Sequence, residues 1–165
     1  MEIRLHYIEQ GEGFPLILLH GNGEDHTYFK RQMEPFADHF RVIAVDTRGH
    51  GESPRGTGPF TLSQFAEDLK SFFDQHGIPK CHLLGFSDGG NVALLFALKY
   101  PDRVERLILN GANLDPCGVK LKTQIPIILG WGLCRLCALF SQQAKQNWEM
   151  LNLMVTQPHI HRAEL

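Results

Sequence analysis

The stretch Cys81–Tyr100, CHLLGFSDGGNVALLFALKY, carries the clearest local signal in the chain. It opens with a short apolar run, typical of a buried strand, that leads into the turn Gly85–Gly89. A helix-like run of small and apolar residues follows. Pro101 ends this run, because proline donates no backbone hydrogen bond and clashes with the preceding turn. The pattern therefore predicts a strand, a tight G-x-S-x-G turn and a helix.

This turn has the sequence of a nucleophile elbow, with Ser87 at its centre. A serine in such a turn has a cramped backbone with its Oγ exposed, and the flanking glycines let strand and helix approach closely. The positive N-terminal end of the following helix would face a developing oxyanion. The bare motif also occurs by chance, but the strand and helix patterns on either side favour Ser87 as a nucleophile.

Apolar runs outside this stretch predict the remaining strands and helices. Residues 3–7 alternate in polarity, as in a half-buried strand, whereas 16–19 and 42–45 are continuous apolar runs, typical of buried strands in a parallel sheet. A further strand is predicted over 104–109 from Val104, Leu107, Ile108 and Leu109. Two further helices are predicted from their apolar faces. The first face is formed by Phe29, Met33, Phe36, Ala37 and Phe40. The second helix lies between a capping box at 61–64 and Gly77, and its apolar face is formed by Leu62, Phe65, Ala66, Leu69, Phe72 and Phe73. This alternation predicts an α/β fold: an open, mostly parallel sheet with helices on both faces and a site at the carboxyl ends of the strands.

Two loops follow predicted strands and add to the site. Residues 20–23, His-Gly-Asn-Gly, can supply a backbone N–H to an oxyanion hole, although an ordinary glycine turn is the alternative. His20 precedes the nucleophile along the chain, so it is interpreted as a structural hydrogen-bonding residue. Residues 46–53 form a charged, glycine-punctuated loop. Local hydrogen bonds and ion pairs are expected to brace this loop through Asp46, Arg48 and His50.

Size and composition are those of an ordinary globular chain. The 165 residues, 43% hydrophobic and 21% charged, are enough for one domain with a sizeable core. Sixteen basic and 18 acidic residues give a net charge of -2, with no basic block to suggest a nucleic-acid partner. The N-terminus lacks an apolar signal-peptide core, so a cytoplasmic location is expected.

The four cysteines are expected to be reduced. Cys134 and Cys137 have C-x-x-C spacing, which also occurs in redox motifs and zinc sites. They lie in an apolar, helix-like run without a second pair at metal spacing, so a core role is favoured and no metal site is expected.

The C-terminal third is interpreted as a cap over the pocket. Residues 125–140 are mostly apolar, but they are fewer than a bilayer span needs and include Pro126 and Arg135, so no membrane helix is predicted. In the cap interpretation, Trp131 and Phe140 line the pocket. The predicted organisation is a core over residues 1–113 and a cap over 114–165, within a single domain.

Taken together, the motifs at 20–23, 46–53 and 85–90 resemble those of the α/β-hydrolase superfamily, in matching order over essentially the whole chain. The resemblance implies Ser87 as nucleophile, the backbone N–H groups of Asn22 and Asp88 as oxyanion hole, and no cofactor. A serine at the elbow argues against the dehalogenases and epoxide hydrolases of the superfamily, which use aspartate there. The implied substrate is a small molecule with an acyl bond, and the candidate binding residues are Gly21, Phe86, Asp88 and Trp131.

Asp88 is an unusual neighbour for a developing oxyanion. Its carboxylate is expected either to cap the helix N-terminus or to bind a cationic group of the substrate. The Ser-Asp-Gly-Gly run at 87–90 looks like that of amino-acid-ester hydrolases of the superfamily, which favours an α-amino group as the cation.

The chain departs from the family pattern after the elbow. The triad of the family runs serine, acid, histidine, but beyond Ser87 the histidines are His159 and His161, after the cap pattern, while Asp115 follows a strand. A complete triad is not expected here, and roughly 60–100 residues of strand–helix units are expected to be missing. Two functions stay open: an N-terminal portion of a serine esterase, and a non-catalytic small-molecule-binding protein. Strand 104–109 would lie at the sheet edge, where self-association is possible.

Overall fold

The computed structural model describes residues 3–113, 121–139 and 141–155. The chain separates into two compact units, Met1–Ala112 and Asn113–Leu165. The predicted roles of Asp115, Phe140, His159 and His161 lie outside the described residues. The division into a core and a cap within one domain stays a prediction.

Five strands of the first unit form one sheet in the order β1-β3-β2-β4-β5. They are β1 (Tyr7–Gln10), β2 (Pro15–Leu19), β3 (Arg41–Val45), β4 (Cys81–Phe86) and β5 (Val104–Asn110). Strands β2 to β5 pair in parallel, and β1 runs antiparallel to β3. This open, mostly parallel sheet with its helices confirms the predicted α/β fold.

Helices cover both faces of the sheet. The first unit contains α1 (Lys30–Ala37), which follows a 3-10 turn at His26–Phe29, α2 (Leu62–Gln75) and α3 (Asp88–Lys99). In β1, Ile8 packs in the same cluster as Met33 of α1, whereas Tyr7 meets Phe72 of α2 edge-on at 5.2 Å. Because successive strand residues point to opposite faces, α1 and α2 lie on opposite sides of the sheet.

The helix ends follow the predicted signals. The side-chain oxygen of Thr61 accepts from the Gln64 N–H at 3.2 Å, and Gly77 has φ 60° just after α2. Helix α3 ends at Lys99, two residues before Pro101. Helix α1 is shorter than its apolar pattern suggests. It ends at Ala37, so Phe40 lies beyond its end.

The first strand differs from its prediction, which placed it over residues 3–7. The ladder begins at Tyr7, opposite Val45, and continues to Gln10. The reason is a long-range contact: the backbone N–H of His6 donates to the Ser53 hydroxyl at 2.8 Å, so the chain before Tyr7 is bound to the loop at 46–53.

The second unit contains two helices, α4 (Leu121–Cys137), with Pro126 inside it, and α5 (Gln142–Val155). Trp131 lies within α4. Among the residues that the structure describes, no helix is both long and apolar enough to cross a bilayer.

Candidate active site

The elbow residue Ser87 has a strained backbone. Its φ of 52° and ψ of −119° make it the one non-glycine residue with positive φ among those that the structure describes. Its N–H donates to the Asn110 carbonyl of β5 at 2.8 Å, and its own carbonyl accepts from the Gly90 N–H at 2.9 Å. Strain of this kind costs about 1–3 kcal/mol and is commonly found at functional sites. The β5 ladder and α3 together maintain it.

Three positions around Ser87 have no room for a side chain, so each requires glycine. A Cβ atom on Gly85 would lie 2.6 Å from the Gly90 Cα, and a Cβ atom on Gly90 would lie 2.8 Å from that of Ala112. A Cβ atom on Gly89 would collide with the carbonyl groups of Leu19 and His20. The G-x-S-x-G-G pattern thus reflects close contact of α3 with β4 and with the end of β2.

The glycine loop after β2 lies directly against the elbow. A Cβ atom on Gly21 would lie 3.2 Å both from the Ser87 Cβ and from the Phe86 ring. The Gly21 N–H donates to the Glu24 carboxylate at 3.0 Å. The next amide along the loop, that of Asn22, is the oxyanion donor that the family resemblance implies. Glu24 was not identified from the sequence.

His20 has a structural hydrogen-bonding role, as expected. Its Nε2 accepts from the Thr47 N–H at 3.0 Å, so its Nδ1 carries the proton and donates to the Gly21 carbonyl at 2.8 Å. Burial lowers the pKa of this imidazole, which favours the same neutral form. With both nitrogens engaged, His20 is not available as a general base.

A second buried histidine, His50, supports the same loop from the side of residues 46–53. Its Nδ1 lies 3.1 Å from the Thr47 hydroxyl, and its Nε2 lies 3.5 Å from the Asn22 side-chain oxygen. Burial, and then the neighbouring His20, lower the pKa of His50 to about 4. His50 is therefore neutral at pH 7 and packs beneath the glycine loop.

Loop 46–53 is braced by the residues predicted to do so. Asp46 is fully buried and accepts the Glu52 N–H at 3.0 Å and the His26 N–H at 2.6 Å. Arg48 makes a two-pronged ion pair with Asp68 of α2, with both N–O distances 2.6 Å. These contacts confirm a bracing role for the loop's charged residues.

Asp88 does not occupy the N-cap position of α3, where a capping side chain is expected. Ser87 occupies the N-cap position and makes no side-chain capping bond, and Asp88 is the first residue of the helix. Its carboxylate is nearly buried, with the Asn91 side-chain amide 3.4 Å from Oδ1. A negative charge in the first turn of the helix is favoured by the positive helix end. The backbone N–H of Asp88 lies at this same helix end. A contact between the Asp88 carboxylate and a substrate cation stays a prediction.

An aromatic residue that the sequence analysis missed lies beside the elbow. Tyr28 stacks on Phe86, with ring centroids 4.5 Å apart and planes 12° from parallel, and it is 37% exposed. The sequence offers only a weak signal for Tyr28, because a 3-10 turn of four residues is too short to show helical periodicity. Trp131, the other aromatic candidate, belongs to the second unit, so its role in substrate binding stays a prediction.

The fold and the elbow define a class: an α/β protein with a serine on a strained strand–helix turn, in contact with a glycine loop. A family model for the alpha/beta hydrolase fold matches residues 15–131. The chain belongs to the α/β-hydrolase family.

Relatives agree with this assignment. The chain is 36% identical over 155 residues to a 2-hydroxy-6-oxononadienedioate/2-hydroxy-6-oxononatrienedioate hydrolase of Escherichia coli, covering 90% of this chain and 52% of that protein. It is 39% identical over 111 residues to mouse (Mus musculus) epoxide hydrolase 4, covering 65% of this chain and 31% of that protein. The chain thus spans about half the length, or less, of these curated relatives.

Solved structures show the same fold. A meta-cleavage product hydrolase mutant superposes with a TM-score of 0.64 at 32% identity, over 67% of this chain and 42% of that one. An epoxide hydrolase of Bacillus megaterium superposes with a TM-score of 0.75 over 98% of this chain and 72% of that one, at 19% identity, which bears on the fold alone. Hydrolases thus recur among the similar proteins.

Proposed function

We propose that this chain is the nucleophile-bearing part of a serine hydrolase that cleaves a carboxylic ester or a related acyl bond. The observation that carries the proposal is the strained φ of Ser87 in a G-x-S-x-G turn against Gly21. A side chain on such a turn projects from the carboxyl end of the sheet, where ligands of open α/β folds bind.

In the proposed reaction, Ser87 Oγ attacks the substrate carbonyl carbon, its proton passes to a general base and from there to the leaving group, and an acyl-enzyme forms as that group departs. The backbone N–H groups of Asn22 and Asp88 stabilise the negative charge on the carbonyl oxygen. The positive end of α3 favours the same charge, because Asp88 is its first residue. Water then releases the acyl group and restores Ser87. No cofactor takes part.

The base has to come from outside the described residues. In the described part of the chain, no histidine hydrogen bonds to Ser87, and His20 and His50 are buried and engaged elsewhere. A serine hydroxyl without a base is a weak nucleophile at neutral pH. Within the chain, His159 and His161 lie outside the described residues and follow the predicted cap instead of a strand, unlike the histidine of the family triad. We therefore expect the 165-residue chain alone to give no Ser87-dependent turnover, and we propose that the activity belongs to a longer protein.

The test compares the longer protein with the 165-residue chain. A fluorophosphonate probe and a p-nitrophenyl ester are applied to the longer protein, with Ser87→Ala as the variant and Ser63→Ala, on α2, as the control. We expect Ser63→Ala to keep labelling and turnover and Ser87→Ala to lose both. Turnover retained by Ser87→Ala would contradict the proposal. Multiple turnover by the 165-residue chain would instead contradict the need for an external base.

A second substrate class is favoured by one comparison. The Escherichia coli relative is named for 2-hydroxy-6-oxo dienedioates, whose hydrolysis breaks a carbon–carbon bond next to a carbonyl group, and it matches 90% of this chain. The same serine and oxyanion donors would serve that reaction. Comparing kcat/KM for such a dienedioate and for an ester in the longer protein decides between the two substrates.

A further inference from the structure

Three side chains from distant parts of the sequence converge beside β3. His6 precedes β1, His26 begins the 3-10 turn and Asp46 follows β3. The Asp46 Oδ2 lies 2.8 Å from the His6 Nδ1 and 3.0 Å from the His26 Nδ1, and the ligand atoms of the three residues all lie within 4.8 Å of one another. Two imidazoles with one carboxylate are a donor set that suits zinc and neighbouring transition metals.

We propose that His6, His26 and Asp46 form a binding site for a divalent transition-metal ion, Zn²⁺ in particular. The two histidines coordinate through Nδ1 and Asp46 through Oδ2, and water completes the coordination. With tetrahedral geometry and metal–ligand bonds of about 2.0–2.1 Å, neighbouring ligand atoms are about 3.3–3.4 Å apart. The two observed distances to Oδ2, 2.8 Å and 3.0 Å, are shorter than this range, so both imidazole rings would have to move away from Asp46 by about 0.3–0.5 Å to admit the ion.

The surroundings have the features of a second coordination shell. The His6 Nε2 lies 3.7 Å from the Glu52 carboxylate, and metal-bound histidines commonly donate their other N–H to a carboxylate. Asp46 is oriented by the backbone N–H groups of His26 and Glu52, at 2.6 Å and 3.0 Å. These partners hold the carboxylate in place without using either imidazole.

The protonation states also fit. Both side-chain oxygens of Asp46 accept hydrogen bonds from backbone N–H groups, Oδ1 from His26 and Oδ2 from Glu52, as an ionised carboxylate does. When the metal binds, the proton on each imidazole Nδ1 is replaced by the metal, and the neutral ring carries its proton on Nε2. For His6, that proton faces Glu52.

An ion can reach the site from solvent. The Asp46 side chain is 0% exposed, whereas those of His6 and His26 are 29% and 16% exposed. The imidazole side is therefore open, and the carboxylate forms the floor. A bound ion would tie the segment before β1 to the loops after β2 and β3, so it should stabilise the first unit by mass action.

The experiment titrates Zn²⁺ into the metal-free 165-residue chain by calorimetry and follows the thermal unfolding midpoint. Thiols are alkylated first, because cysteine also binds zinc. The variants are His6→Gln and His26→Gln, which keep a side-chain hydrogen-bond donor but are poor zinc ligands. The control is His39→Gln, since His39 is exposed and lies outside the cluster.

We expect the wild type and His39→Gln to bind Zn²⁺ and unfold at a higher temperature with it, and each of the other variants to bind at least tenfold more weakly. Equal affinity in all four chains, or no binding at millimolar Zn²⁺, would overturn the proposal. A measurement on the wild type covers the case in which a variant does not fold. In ¹⁵N imidazole spectra, Zn²⁺ should convert two histidines to the Nε2–H form, and unchanged spectra would exclude the site.

Discussion

Gly21 lies so close to Ser87 that a Cβ atom on Gly21 would come within 3.2 Å of the Ser87 Cβ. The two residues come from the loops that follow β2 and β4, which are adjacent parallel strands with Leu19 opposite Gly85. Parallel pairing brings the carboxyl ends of these strands together. The candidate nucleophile and the candidate oxyanion loop therefore meet because of strand order.

Gly85→Ala should be far more damaging than Gly77→Ala. A Cβ atom on Gly85 would lie 2.5 Å from the Gly89 carbonyl carbon, and backbone atoms cannot move aside as a flexible side chain can. We expect a loss of about 3 kcal/mol or more in the free energy of unfolding. Gly77 has open space around it but φ 60°, so its alanine variant should lose about 1–2 kcal/mol from backbone strain. Urea unfolding of both variants measures the difference, and equal losses would contradict the crowding argument.

Asp68→Asn should destabilise the first unit strongly. The substitution breaks the ion pair between Arg48 and Asp68, whose side chains are only 4% and 7% exposed. The guanidinium of Arg48 is then left buried without its counter-charge. The expected loss is about 3–5 kcal/mol by urea unfolding. The matched control is Glu105→Gln, which removes an exposed ion pair with Lys80 and should change stability little. Similar losses for both variants would show that burial of the Arg48 pair does not matter.

Stability should fall as the pH is lowered from 6.5 to 4 because of His50. The unfolded imidazole takes up a proton near pH 6.5, but the folded one does so only near pH 4. Between these values the unfolded chain binds more protons, so the free energy of unfolding decreases with falling pH. The shift from 6.5 to about 4 corresponds to a loss of roughly 3 kcal/mol from this residue.

Thermal unfolding between pH 4 and 7 tests this expectation. His50→Gln keeps a polar side chain that does not titrate, so its pH dependence should be flatter than that of the wild type. His20, whose pKa is also lowered by burial, should leave a residual slope of the same sign. An unchanged slope in the His50→Gln chain would show that His50 is not responsible.

The 165-residue chain should self-associate through β5. In the described part of the chain, β5 pairs with β4 and lies at the end of the strand order. Neighbouring residues on its two faces, Ile108 and Leu109, are 48% and 42% exposed. Exposed apolar edge strands pair readily with other chains, and a lysine on the strand opposes this.

Size-exclusion chromatography tests the role of this edge. Ile108→Lys should shift the chain toward the monomer, whereas Phe14→Lys, at an apolar residue that is 41% exposed but lies outside β5, should not. A wild-type chain that elutes as a monomer at all concentrations would contradict self-association.

Local sequence determined the elements and the elbow. The apolar runs, the capping box at 61–64, Gly77 and Pro101 predicted elements that the structure contains, because turn chemistry and hydrophobic periodicity act over a few neighbouring residues. The same reasoning identified Ser87 and the loop at 20–23. It misplaced β1, because the ladder starts where a side chain forty-seven residues away, that of Ser53, stops competing for the His6 amide.

Only the tertiary structure determined which residues are in contact. Tyr28 stacks on Phe86, and His6 and His26 converge on Asp46, although nothing in their spacing along the chain predicts these contacts. Such contacts depend on strand order and on the paths of the connecting loops, which bring together residues twenty to sixty positions apart. The sequence therefore specified the kinds of chemical group at the site, and the β1-β3-β2-β4-β5 order of the sheet specified which groups are neighbours.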